Sequence, residues 1–483
     1  MSGIVRRVRD AVRAFPWLKT AVAACVALYL FLSAKGLASI GDLAGWHAIE
    51  PLAIALLPVC VFLTFRYPLI FPFGLYVALV PFDALLAVSG GATLVRLIGF
   101  AAAGALALRT LVTRRALVPG PSWYPWVALV AYAALTLMWT PEFGKGANTF
   151  ATMLMLLLMM TVLATYPVGK MEFQITMALT VLAGVGAAVF TLHQYYSGHV
   201  TLDVNSHGHR LALQGFSSSN IEDPNFLAGA FLIAMALALA GLFYARGIAV
   251  RLACVLAIPP MIAAVLVTGS RSALFGAVAL FAYFAIRSKH RLGALALGGV
   301  ALVTVTAFYP DVLARLFDKT FVNGSGRTDI WQTGLHSFSD HWLFGAGVES
   351  YQYVYDRNLL QVFQPEFAGW TRPGHSLIFV SLNDFGVLGF ALVLVCWYVG
   401  FRQLSVIPKT SWLYGTRLGL EAGMLALFIH MLFLDPFYIK YVWLGQSLPL
   451  IALNLYAPRA LRAGRRISAP VPRMRPAQSL RGT

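Results

Sequence analysis

Apolar runs alternate with short polar breaks along most of the chain. They fall near 20–38, 46–66, 68–88, 92–112, 123–140, 147–167 and 171–193. More follow near 224–245, 250–268, 271–287, 291–309, 375–401, 415–435 and 438–457. Runs of about 18–25 residues are long enough to cross a bilayer as helices. Strands of a membrane barrel would instead alternate over about 10 residues. The pattern predicts an all-α polytopic membrane protein with 12–14 transmembrane helices. The lower count applies if runs broken by Pro68, Pro72 and Pro81 do not cross.

Two polar stretches interrupt the alternation, 194–223 and 310–374. Within the second, apolar side chains at Trp331, Leu335, Phe338 and Trp342 have helical spacing. They predict an amphipathic helix lying on the membrane surface. Asn323-Gly324-Ser325-Gly326 reads as a turn leading into it. No internal repeat with a period of 20–50 residues is visible, and an inverted repeat stays open.

Charge gives the pattern a direction. Arg6, Arg7, Arg9, Arg13 and Lys19 precede the first run, and Arg459, Arg462, Arg465, Arg466, Arg473, Arg475 and Arg481 follow the last. Basic flanks mark cytoplasmic ends, so the number of spans should be even. Basic turns at Arg109/Arg114/Arg115, Arg246/Arg251, Arg287/Lys289/Arg291 and Arg402/Lys409/Arg417 keep the same register. The stretch 310–374 holds seven acidic and five basic residues, as a non-cytoplasmic loop should.

The expected organisation is a basic cytoplasmic N-terminus (1–19), N-terminal transmembrane helices (20–193) and a first periplasmic loop (194–223). Central transmembrane helices (224–309) precede a large periplasmic loop with its surface helix (310–374). C-terminal transmembrane helices (375–457) and a basic, disordered cytoplasmic tail (458–483) complete the chain. The run from Ala21 to Leu37 is longer than the apolar core of a signal peptide and reads as a retained first span.

Composition agrees. The chain is 59% hydrophobic and 11% charged, against about 25% charged in soluble domains. A net charge of +17 would suggest nucleic acid in a soluble protein. Concentrated at the termini, it reads instead as a topology signal that also contacts anionic lipid. Cys25, Cys60, Cys254 and Cys396 fall inside expected spans and read as small apolar residues.

Polar chemistry gathers at the outer ends of the spans, and the span centres look nearly free of charge. His375 stands at the mouth of a long apolar run, in Gly-His-Ser-Leu-Ile-Phe-Val-Ser-Leu-Asn-Asp-Phe-Gly-Val-Leu-Gly. It is either a structural edge histidine or a titratable group at the bilayer surface. Asp223 and Asn225 open the next span as helix caps or as site residues. Arg271, in Thr-Gly-Ser-Arg-Ser-Ala, either snorkels or serves a site; Arg327, in Gly-Ser-Gly-Arg-Thr-Asp, is either solvated or functional. Arg210 lies in the first loop. Arginines converging with helix N-termini would suit a phosphate or pyrophosphate. Asp83 and Arg96 read as a structural pair.

These segments together resemble the superfamily of bacterial O-antigen ligases, O-antigen polymerases and protein O-oligosaccharyltransferases. The matching pieces are Arg210 with Gly215, Asp223-Pro224-Asn225, Gly269-Ser270-Arg271 and Gly326-Arg327 with Trp331. Phe344-Gly345-Ala346-Gly347 and His375-Ser376, nine residues, then Gly386-x-x-Gly389 complete the set. The resemblance implies a GT-C-type bundle in the bacterial inner membrane, with its active site facing the periplasm. The implied donor is a glycan on undecaprenyl pyrophosphate. His375 is implied as general base, with Ser376, Asp223 and Asn225 in support. Arg210, Arg271 and Arg327 are implied to hold the leaving pyrophosphate, with no cofactor and no metal.

Within the superfamily, the His-Ser spacing favours a ligase whose acceptor is lipid A-core, in lipopolysaccharide biosynthesis. Beyond the last expected span there is only the basic stretch 458–483, and no further domain of the kind the protein-glycosylating branch often carries. The alternatives are the polymerase, the protein-glycosylating enzyme and, outside enzymes, a lipid or polysaccharide exporter. The uncharged span centres speak against an exporter's hydrophilic passage.

Overall fold

A computed structural model describes residues 50–86, 93–198, 200–203, 208–211, 213–214, 221–308, 327–362, 374–434 and 437–467. The expected first span, the 323–326 turn and the end of the C-terminal tail lie outside these residues.

Among the described residues, helices form where the apolar runs predict them. They are α1 (Glu50–Arg66), α2 (Phe73–Leu79), α3 (Leu94–Thr113), α4 (Trp123–Thr136), α5 (Phe143–Thr165) and α6 (Lys170–Tyr196). After them come α7 (Pro224–Tyr244), α8 (Ile248–Val267), α9 (Arg271–Arg287) and α10 (Arg291–Phe308). The polar insertion contributes α11 (Arg327–Phe338) and α12 (Tyr351–Val362). The chain closes with α13 (Leu377–Gln403), α14 (Tyr414–Met431) and α15 (Lys440–Ile467). Helix α15 thus overruns Pro458, where a disordered tail was expected. The stretch 194–223 adds two small antiparallel pairs. Strand β1 (Val200–Asp203) pairs with β2 (Gly208–Leu211), and β3 (Leu213–Gln214) with β4 (Ile221–Glu222).

Among the described residues, six helices are long and apolar enough to cross a membrane: α3, α5, α6, α7, α8, and α13 with its continuation to Val406. They bear out an all-α polytopic membrane protein, whose 12–14 expected spans are counted over the whole chain. Among the described residues the other runs also form helices, but α4 has 14 residues and α9 has 17. Helix α14 carries Arg417, Glu421 and His430, and the 68–88 run folds as the short α2 followed by two 3-10 turns.

Small residues set the packing of the centre, as membrane helix pairs require. Helix α14 runs antiparallel to α7. A methyl group on Gly229, near the start of α7, would sit 2.7 Å from Nε2 of His430 at the end of α14, and Gly415 abuts Tyr244. Gly419 and Gly423 meet Ala236 and Ala240 of α7, and Gly276 of α9 lies against the Ala426 carbonyl.

The bundle does hold a buried charge pair, between two residues of α14. The Arg417 guanidinium donates to Glu421 at 2.8 Å and to the Ile407 carbonyl at 2.6 Å, and Tyr283 donates to Glu421 at 2.6 Å. Such full partnering makes the pair tolerable in an apolar surround. Asp83 pairs with Lys440 and accepts from Thr93, whereas Arg96 donates to Thr152 at 2.8 Å. The expected Asp83–Arg96 pair is therefore replaced, because α15 begins beside Asp83.

Gly276→Ala should lower the stability of the bundle by about 1–3 kcal/mol, because the new Cβ would stand 2.8 Å from a backbone carbonyl that cannot rotate away. Thermal unfolding in detergent measures this; an unchanged midpoint would contradict the close packing of α9 on α14.

Candidate active site

The site is organised by a break in α13. At Gly386 the backbone takes φ 65 and ψ −170, a region almost confined to glycine. An unbroken helix would bond Asn383 to Val387 and Asp384 to Leu388. Here the Asn383 and Asp384 carbonyls accept from the amides of Ala346 (2.7 Å) and Gly347 (2.9 Å). The Val387 and Leu388 amides donate to the carbonyls of Trp342 (2.8 Å) and Leu343 (3.3 Å). Residues 342–350 thus form a strap threaded into the gap.

Helix α4 and the turn that follows it, 137–140, hold the strap. Tyr132 donates to the Phe344 and Phe385 carbonyls, and Thr140 donates to the Val348 carbonyl at 2.9 Å. The indole of Trp139 donates to the Gly345 carbonyl at 3.1 Å. Gly389 packs against Tyr132, as a close-packing glycine should. Gly386, expected to do the same, instead makes the break.

Asp384, buried at 2% exposure, fixes the far end of the strap. Its carboxylate accepts from the amides of Glu349 (3.0 Å), Ser350 (3.1 Å) and Tyr351 (2.9 Å), and from the Ser350 hydroxyl. These are donors at the N-terminus of α12 that the helix itself cannot satisfy, so a side chain of another helix caps it.

Helix α11 is docked differently from expectation. Its buried face is Ile330, Thr333, Gly334 and Ser337, while Leu335 is 59% exposed and Trp342 lies on the outside. The reason is polar: Ser337 donates to Asn383 at 2.8 Å, and Asn383 donates to the Gly334 carbonyl at 3.0 Å. Trp331 stacks on Phe379 of α13 at 5.5 Å.

His375 precedes α13 with φ 42, a left-handed conformation that costs a non-glycine residue about 1–3 kcal/mol. It is half-buried, and its Nδ1 is shielded from solvent. Ser376 caps α13, accepting from the Phe379 amide at 3.4 Å. Asp223 caps α7, accepting from the amide and side chain of Asn225 at 2.8 and 2.9 Å. Arg271 opens α9, half-buried, behind the cap of Ser270.

Short turns join α7–α8 and α8–α9, so the starts of α7 and α9 share one end of the bundle. The antiparallel α7–α14 pair places the end of α14, and hence the start of α13, at that same end. Asp223, Asn225, Arg271, His375 and Ser376 therefore stand at one end, and α11, which begins at Arg327, is tied to α13 there. The side chains of Arg210 on β2 and Arg327 lie outside the described residues.

Four side chains at this end were not singled out from the sequence: Asp384, Glu349, Tyr351 and His430. For Asp384 a signal existed, an acid inside an apolar run. Glu349 has φ 60, and its carboxylate accepts from Thr149 of α5 at 2.9 Å. Burial lifts its carboxyl above the ordinary carboxylate range, partly offset by Thr149 and Lys145.

Fold and site together define a multi-pass membrane protein with a polar site at one end of its helix bundle. Residues 252–394 match the family described as O-antigen ligase. The match covers about three-tenths of the chain and shows a likeness to O-antigen ligases over that stretch. It spans Arg271, Arg327, His375, Asp384 and Gly389, and leaves out Arg210, Asp223 and Asn225. No curated protein matches the chain.

Two outcomes follow. Gly386→Ala should destabilise the protein by about 1–3 kcal/mol or more, since the new Cβ would run into the Leu343 carbonyl; a wild-type melting curve would contradict the threaded strap. A buried acid with a raised pKa contributes stability below its unfolded pKa and loses it as pH rises through the folded one. Glu349→Gln should therefore flatten the fall in melting temperature between mildly acidic and neutral pH. An unchanged pH slope would contradict the burial of this carboxyl.

Proposed function

We propose that this protein is an O-antigen ligase of the bacterial inner membrane. It transfers a glycan from undecaprenyl pyrophosphate to a sugar hydroxyl of lipid A-core at the periplasmic face of a GT-C-type bundle. The observation that carries the reading is the match over 252–394, which contains the histidine, two of the three arginines and the glycine pair of the implied site.

In this reading the acceptor oxygen attacks the anomeric carbon of the donor sugar. His375 takes the hydroxyl proton, so the nucleophile does not carry it into the new bond. The bond from the anomeric carbon to the pyrophosphate oxygen breaks from the opposite face, which inverts the configuration. Negative charge then gathers on the departing lipid pyrophosphate. Arg210, Arg271 and Arg327 stabilise it, and the N-terminus of α9 behind Arg271 adds partial positive charge. Asp223, Asn225 and Ser376 support the site by fixing the starts of α7 and α13. Guanidinium groups fill the role of a divalent cation in this scheme, and no cofactor takes part.

The left-handed turn at His375 supports the assignment. Strained conformations of non-glycine residues persist where the surrounding structure imposes them, and they cluster at functional positions.

His375→Ala should abolish glycan transfer to lipid A-core in a reconstituted assay, while membrane insertion and melting stay near wild type. Transfer at the wild-type rate would contradict the assignment. In cells lacking the protein, the ligase reading expects polymerised glycan left unattached; single repeats on the core would mark a polymerase instead.

A further inference from the structure

Tyr351 is the point where the two halves of the proposed site touch. It is the first residue of α12 and is buried, at 4% exposure. Its amide is one of the donors held by Asp384 of α13. Its hydroxyl donates to the Ile330 carbonyl of α11 at 2.7 Å, one turn after Arg327. Its ring lies against Gly374, the residue before His375: a methyl group on Gly374 would stand 3.1 Å from the ring. The same hydroxyl fills the space over Gly334, where a methyl group would stand 2.7 Å from it.

We infer that Tyr351 is a positioning residue that sets the helix bearing Arg327 against the turn bearing His375, with Asp384 holding it in place. The inference rests on the reading that His375 and Arg327 take part in transfer. The physical need is clear in that reading. The base and the charge that stabilises the leaving group act on opposite sides of one anomeric carbon, so their separation must be held while the bond changes. Helix α11 and the His375 turn are far apart in sequence, and α11 docks through a face centred on Ile330, Thr333, Gly334 and Ser337. A rigid aromatic ring wedged at Gly374, with a hydroxyl tied to α11, fixes that separation without touching substrate. Asp384 makes the wedge stiff, because it secures the backbone from which the ring projects.

The test is a double-mutant cycle on the full-length protein in lipid nanodiscs. The donor is a defined undecaprenyl-pyrophosphate oligosaccharide, and the acceptor is lipid A-core. Tyr351→Phe keeps the ring and removes the hydroxyl bond. Gly334→Ala leaves Tyr351 unchanged, favours the helix, and pushes the hydroxyl away from Ile330. Each single variant should lower kcat per folded protein by roughly tenfold to a hundredfold, with KM for the donor near wild type, and by more than any accompanying fall in melting accounts for. The double variant should be no worse than the poorer single one, because both remove one contact.

Two further variants guard against simple unfolding. Asp384→Asn retains one acceptor oxygen and should recover much of the kcat lost in Asp384→Ala. Wild-type kcat in Tyr351→Phe, or multiplicative effects in the cycle, would overturn the inference. So would a loss of kcat that follows the loss of folded protein. His375→Ala runs in parallel: full activity there counts against the functional reading, whereas an inactive His375→Ala beside a fully active Tyr351→Phe overturns the inference alone.

Discussion

An exchange of backbone hydrogen bonds at Gly386 governs the rest of the structure. Two bonds internal to α13 are given up, and four bonds to the strap take their place. Backbone groups inside a membrane protein must be satisfied by protein, so a broken helix survives only where another segment fills the gap. The strap meets that condition with amides on one side and carbonyls on the other. The break turns α13 into a receptor for residues 342–350, and everything attached to the strap is fixed by it.

The consequences run outward from there. Asp384, beside the break, caps α12. Asn383, one residue earlier, bonds to Ser337 and Gly334 and so binds α11. Tyr132 of α4, with Trp139 and Thr140 in the turn that follows it, clasps the strap. The two helices of the polar insertion are therefore docked by a few buried polar groups beside apolar side chains such as Ile330, Trp331, Tyr355 and Leu359. Polar contacts in such a setting fix direction as well as proximity, which suits a site whose groups must stay in register.

The spans were legible because hydropathy reports directly on what lipid requires. The starts of α5, α7, α9 and α13 all fall within about four residues of the expected positions. The candidate residues Asp223, Arg271 and His375 were legible because polar groups at helix mouths stand out against apolar runs. What the pattern hid has a common cause. The docking face of α11 is centred on Ile330, Thr333, Gly334 and Ser337, so its apolar periodicity, which shares only the edge at Trp331, pointed partly away from the bundle. Gly386 looked like one more packing glycine, because a positive φ leaves no mark in composition. Asp384 sat in plain view, yet its role depends on α12 beginning within its reach, a contact made only by the folded chain. The Asp83–Arg96 pair failed for a similar reason, since Lys440 lies 357 residues away from Asp83.

The central claim is that the end of the bundle organised by the strap is a transfer site for a lipid-linked glycan. The most direct measurement is an experimental structure with an undecaprenyl-pyrophosphate donor bound. The account expects the pyrophosphate in hydrogen-bond contact with Arg271 and Arg327, with the anomeric carbon facing His375. A donor seated at the opposite end of the bundle, or a pyrophosphate held away from both arginines, would contradict it.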